Sequence, residues 1–173
     1  HRLDMTEYQH EDALVRLIGS FENNTPGVLT SILREHPYGL ILLDEFEKSA
    51  PPVKDLFLQI LDEGVFSDMA GNKVNARNTI FIATSNAVGD LIHKLQTQKV
   101  NIDLKKDLIT TTMIERGIFR PELLNRFDAV IAFHPLSTES LAEIARLQLK
   151  KLAARLLEKG ITLEITPDLV QNV

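Results

Sequence analysis

Asp44 and Glu45 follow directly on the apolar run Leu40-Ile41-Leu42-Leu43. Adjacent acids at the tip of a short apolar segment suit magnesium-assisted phosphoryl transfer. The first acid can hold Mg²⁺ through its water shell, and the second can orient a water for attack on a terminal phosphate. An acid in that position can also do no more than carry the chain out of the core, so the surrounding residues decide between the two readings. Ser85 and Asn86 end a second apolar run, Thr79 to Thr84. An amide there can hydrogen-bond the terminal phosphate or the attacking water, although Asn is also common where a strand turns into a loop. Arg120 and Arg126 flank the segment Pro121-Glu122-Leu123-Leu124. A guanidinium projected from such a segment onto a neighbouring subunit's phosphate contributes about 10³ to 10⁵ in rate where enzymes use one. The alternative for both arginines is ion pairing with nearby acids such as Glu122 or Asp128.

The elements that must position these groups read as α/β. Apolar runs without alternation, bounded by turns, suit strands buried on both faces of a parallel sheet with helices on each side. Residues 40–43, 79–84 and 129–133 fit that description, and Arg2 to Met5 read as the end of another strand. In open parallel sheets, ligands bind beyond the carboxyl ends of the strands. That rule brings Asp44, Glu45, Ser85 and Asn86 to one edge.

Between the strands the 3.6-residue apolar spacing predicts helices. Thr6 with Gln9 forms a capping box for one that ends at Gly19, and Pro26 starts another through Leu33. Ser49 caps a third, with Val53, Leu56, Phe57, Ile60 and Leu61 on one face and Gly64 as a left-handed stop. Residues 65–78 read as a hairpin around Gly71-Asn72. Residues 90–96 and 104–116 are helical, and Pro121 opens a short helix. After Pro135 the pattern changes. Ser137 opens a helix of about six turns, residues 161–165 form a short strand, and Thr166-Pro167 begins a last helix. This divides the chain into an α/β core over 1–135 and a smaller, mostly helical module over 136–173.

Composition narrows the classes. The 173 residues are 44% hydrophobic and 25% charged, with no cysteine and a net charge of −5. That is the profile of a globular protein without disulfides or thiolate metal sites, and cytoplasmic placement fits it. The acidic balance argues against nucleic acid as the main partner, and no apolar run is long enough to span a bilayer. The five histidines show no metal-ligand spacing.

Six stretches together carry a family resemblance. They are Arg2 to Tyr8, Val15 to Gly19, Tyr38 to Ala50, Leu58 to Gly64, Asn78 to Asn86 and Phe119 to Asp128. In that order and at roughly that spacing they resemble the second ATPase module of the Clp family of AAA+ unfoldases. The resemblance implies a P-loop-type parallel sheet sandwiched by helices and followed by a small helical domain. It implies ATP and Mg²⁺ as ligands, a homo-hexameric ring, unfolded or tagged proteins as substrates, and a Clp-type protease as a partner. It matches Asp44 and Glu45 to the Walker B acids, Asn86 to the first sensor and Arg126 to the arginine finger, with Arg120 a second candidate.

Three departures stand beside it. No glycine is followed by lysine, so the phosphate-binding loop of the pattern is absent, and the resemblance implies that it lies upstream of residue 1. The second sensor arginine would correspondingly fall beyond Val173. Where the family carries a substrate-gripping Gly-Tyr-Val-Gly loop, this chain has Ser20 to Gly27 with Phe21 as its one aromatic. The resemblance implies that the strand leading into the phosphate loop lies between the strands at 79–84 and 129–133, which without it lose a shared neighbour. The expectation is that they pair directly, accept a segment from another copy, or flank a part present in a longer chain. Two further function classes stay open from sequence, a nucleic-acid motor or clamp loader on a related fold and a non-catalytic assembly module.

Overall fold

The computed structural model describes residues 1–20, 25–98 and 100–171. In chain order the elements are β1 (Arg2–Asp4), α1 (Ala13–Ile18), β2 (Gly19–Ser20), β3 (Thr25–Pro26), α2 (Val28–Glu35), β4 (Gly39–Asp44) and α3 (Pro51–Glu63). They continue with β5 (Val65–Ser67), β6 (Lys73–Asn75), β7 (Thr79–Ala83), α4 (Gly89–Thr97), α5 (Lys106–Glu115), α6 (Pro121–Leu124), α7 (Thr138–Leu157) and α8 (Pro167–Gln171). The chain forms two compact units, residues 1–132 and 133–173. No helix among the described residues is long and apolar enough to cross a membrane.

In the first unit a parallel sheet runs in the order β1-β4-β7. Its register pairs Leu3 with Leu43 on one side of β4 and Leu43 with Ala83 on the other. Ile41 and Leu43 point into the main core, where they meet Val53, Phe57 and Ile60 of α3 and Leu17, Leu29 and Leu33 of α1 and α2. Phe57 sits edge-on to Phe46 at 5.4 Å and to Phe81 at 5.8 Å, tying α3 to the turn after β4 and to β7. A second, smaller cluster of Val88, Leu95, Ile102 and Ile109 underlies α4 and α5. The hairpin β5-β6 closes over Asp68, whose carboxylate accepts the amides of Ala70 and Asn72 and pairs with Arg34 of α2. Gly64 takes φ 70° and returns its N–H to the carbonyl of Ile60, the left-handed stop expected for α3.

Several local expectations are corrected. Gln9 donates to the carbonyl of Thr6 and completes no capping box. Asp4 instead accepts the Thr6 amide and starts a short 3-10 turn, so α1 begins only at Ala13. Pro26 pairs with Gly19 in β3, and Gly27 is the cap of α2. A Cβ on Gly27 would lie 2.2 Å from the Leu17 carbonyl oxygen, so only glycine lets the two segments approach so closely. Ser49 bonds back to the Phe46 carbonyl, and α3 is opened by Ala50 with prolines in its first turn.

The largest correction concerns the sheet. Residues 129–133 form no strand, and among the described residues β7 pairs with β4 alone. Direct pairing of the two segments is therefore not how the sheet is completed. Nor is the sheet buried on both faces, because Leu40, Ile80 and Ile82, aligned by register, are 43%, 63% and 44% exposed. The apolar run is thus buried on alternate residues only. Among the described residues its other face is only partly covered, with Leu42 half-buried, and a groove lined by Phe46, Met113, Phe119 and Phe127 lies between the end of β7 and residues 129–131.

In the second unit, Ser137 caps α7 by accepting the Ser140 amide, and Gly160 at φ 75° follows its end. Residues 161–165 are not a strand. Thr166 accepts the Leu169 amide at the start of α8, and Leu149 and Val170 are buried.

Candidate functional site

Parallel pairing of β4 with β7 brings their carboxyl ends side by side, and the pairing continues past both strands. Thr84 N–H donates to the Leu43 carbonyl, and Phe46 N–H donates to the Thr84 carbonyl, each at 2.9 Å. The Thr84 hydroxyl then links both acids: it donates to Asp44 Oδ1 at 2.5 Å and accepts the Glu45 N–H at 3.1 Å. Arg2, the residue paired with Leu42 across β1, forms an ion pair with Asp44 Oδ2. The Thr84 hydroxyl first, and Arg2 next, hold the Asp44 carboxyl below the usual carboxylate range. Asp44 is therefore a fixed anion at the sheet's edge.

Glu45 has φ 55° and ψ 47°, and it is the one non-glycine residue with positive φ among those described. A left-handed glutamate costs of order 1 kcal/mol, and such strain concentrates at sites whose geometry is imposed by function. The next turn contributes Glu47, whose Oε1 accepts the Asn86 backbone N–H at 3.4 Å while its Oε2 is buried without a partner. Lys54 of α3 donates to the Glu47 carbonyl at 2.9 Å, and burial lowers its pKa against the opposing pull of Glu47. The turn after β4 is thereby tied to the turn that carries Asn86, which is exposed.

Asp44, Glu45 and Asn86 thus lie on one edge, as the sequence predicts. Arg120 and Arg126 do not join them. Arg120 forms an ion pair with Asp55, and Arg126 Nη2 lies 2.9 Å from Asp62 Oδ1, both acids belonging to α3. Asp62 lines a groove with Gly64, Ala76 and Thr79, at the amino end of β7 and away from the acids' edge. The ion-pair alternative for the arginines is realised in kind, but with partners far along the chain. Phe21 lies outside the described residues.

Sequence reasoning missed Thr84, Arg2 and Glu47. Thr84 had a usable signal, since aligning the two strand ends sets it opposite Asp44. Arg2 had none without the register of β1.

The oxygen donors of Asp44 fit a hard cation held partly through water. Among the described residues no trio of His, Cys, Asp or Glu could cage a metal directly. Mg²⁺ commonly takes only one or two carboxylates beside phosphate and water.

Comparison with known proteins places the chain in context. A family model described as "AAA domain (Cdc48 subfamily)" matches residues 1–130, and one described as "C-terminal, D2-small domain, of ClpB protein" matches residues 136–173. "Chaperone protein ClpB 2" of Nostoc sp. is 40% identical over 171 residues, which cover 95% of this chain and 19% of that relative. "Chaperone protein ClpB" of Clostridium perfringens is 40% identical over 172 residues, 95% of this chain and 19% of the relative. "Chaperone protein ClpB" of Meiothermus ruber is 38% identical over 173 residues, 96% and 20% respectively. The chain spans about a fifth of the length of the curated relatives it matches.

Proposed function

The chain belongs to the AAA domain family, and from that membership we propose that it is part of an ATP-hydrolysing module of a Clp-type protein unfoldase or chaperone. The observation that carries the reading is the Thr84 hydroxyl, which fixes Asp44 and orders the backbone of Glu45 in the same turn, beside Asn86. Asp44 would hold Mg²⁺, which when bound would supply charge neutralisation at the phosphates. Glu45 orients the attacking water, and Asn86 hydrogen-bonds the terminal phosphate. Arg126, apart from Asp44 and Glu45 of its own chain, acts on the nucleotide of an adjacent copy, and Arg120 is a second candidate for that contact. A closed ring of identical subunits, a hexamer, supplies that adjacency at every site.

Curated relatives are named chaperones, which supports unfolded or tagged proteins as the substrates. A Clp-type protease downstream and a cytoplasmic setting belong to the same proposal. The residues 1–135 and 136–173 then correspond to the large ATPase core and the small helical domain. The open edge of β7 and the groove beside it are the seat of a further strand, the one that would lead into a phosphate-binding loop.

The test is ATP binding and turnover by this chain beside a version extended upstream until it carries such a loop. The extended form hydrolyses ATP, its Glu45→Gln variant retains ATP without splitting it, and its Arg126→Ala variant binds ATP but does not turn it over. Full turnover by the Glu45→Gln form would overturn the assignment of the acids.

A further inference from the structure

Asp55 and Asp62 are seven residues apart on α3, two helical turns, and so occupy one face. Each meets an arginine at one end of α6: Asp55 takes Arg120, the cap residue, and Asp62 takes Arg126, just past the carboxyl end. Leu123 and Leu124 between them are buried in the main core, and Arg126 N–H closes onto the Leu123 carbonyl. The backbone of α6 is therefore anchored independently of its ion pairs. What remains adjustable is the long side chain of Arg126, and Asp62 is the group that holds it.

Exposure separates holding from sequestering. Arg126 Nη2 lies 2.9 Å from Asp62 Oδ1, with both side chains 47% exposed. With about half of its side chain in solvent, the guanidinium can still meet a phosphate. An exposed pair of this kind is weak, yet it restricts an arginine that would otherwise sample many rotamers, and such preorganisation favours a later, stronger contact.

We propose that Asp62 is a positioning residue for Arg126, aiming its guanidinium outward for the nucleotide of an adjacent copy. This rests on the function proposed above for Arg126.

The experiment uses the full-length protein that carries this module and measures ATP turnover, KM for ATP, ring assembly and thermal stability. Asp62→Ala lowers kcat by about ten- to a hundredfold, the range for groups that orient a catalytic one. KM, assembly and melting temperature stay unchanged. Asp62→Glu restores most of kcat, and Asp62→Asn, which keeps the side-chain shape, reproduces the loss if the alanine variant folds poorly. An unchanged or raised kcat in both Asp62→Ala and Asp62→Asn overturns the proposal. Should Arg126→Ala itself turn over ATP normally, the role of the arginine fails, and the positioning role falls with it.

Discussion

Thr84 Oγ1 lies 2.5 Å from Asp44 Oδ1, and the same oxygen receives the Glu45 N–H at 3.1 Å. One hydroxyl thus joins the end of β7 to both acids at the end of β4. Thr84→Val keeps the shape and removes both bonds, at a cost of about 1–2 kcal/mol. Urea unfolding measures the loss. The Asp44 carboxyl, followed by NMR titration, moves back up toward the ordinary range.

Glu45 reverses a familiar order of substitutions. Glycine is normally worse than alanine because it loses more freedom on folding, but at φ 55° alanine keeps the left-handed penalty and glycine does not. Glu45→Gly is therefore more stable than Glu45→Ala, by about 1 kcal/mol. Denaturant midpoints for the two variants check this. An alanine variant at least as stable as the glycine variant would mean that the backbone there is not strained.

Acid weakens the first unit through carboxylates whose folded values are depressed. Arg116 holds Asp90 at a pKa of about 2, and the Thr84 hydroxyl with Arg2 holds Asp44 below the ordinary value. Since the unfolded chain binds these protons at higher pH, each contribution is complete above the unfolded carboxyl value of about 3.9. It is lost as pH falls through the folded value. For Asp90 that window runs from about pH 4 to about pH 2. Asp90→Asn is accordingly less stable than the parent at pH 6, and the difference shrinks toward zero near pH 2 in pH-stepped urea titrations.

The face carrying Leu40, Ile80 and Ile82 is exposed apolar surface of the kind that marks an interaction site. A fluorescent apolar dye binds the 173-residue chain, and binding falls in a form extended upstream to include the proposed further strand and a helix packed on this face. Equal dye binding by both forms would show that the added segment does not cover this face.

The parts that were legible in the sequence share a physical cause. The tip of β4, the helix α3 and its glycine stop, and the hairpin around Gly71 each have local chemistry strong enough to fix them: an apolar run ending in acids, an amphipathic period, a left-handed turn. Residues 129–133 are an unbroken apolar run like that of β4, yet they form no strand. A strand needs a ladder partner as well as composition, and among the described residues none pairs with them. The start of α1 failed for a related reason. Thr6 and Gln9 have the right spacing for a capping box, but Asp4 competes for the Thr6 amide and wins. The acids and Asn86 at the site followed from strand order. The partners of Arg120 and Arg126 did not, since Asp55 and Asp62 are distant in sequence and meet them only through packing of α6 on α3.

In the proposed site the acids of one copy act with Arg126 of the next. Mixing two inactive full-length variants, Glu45→Gln and Arg126→Ala, tests it most directly. Each Arg126→Ala subunit keeps its acids and can borrow an arginine from a Glu45→Gln neighbour. Random mixing into closed rings at equal amounts restores turnover at about a quarter of the interfaces. Recovered ATP hydrolysis in the mixture, absent from either variant alone, is the predicted result, and a mixture as inactive as its components, despite forming mixed rings, would contradict it.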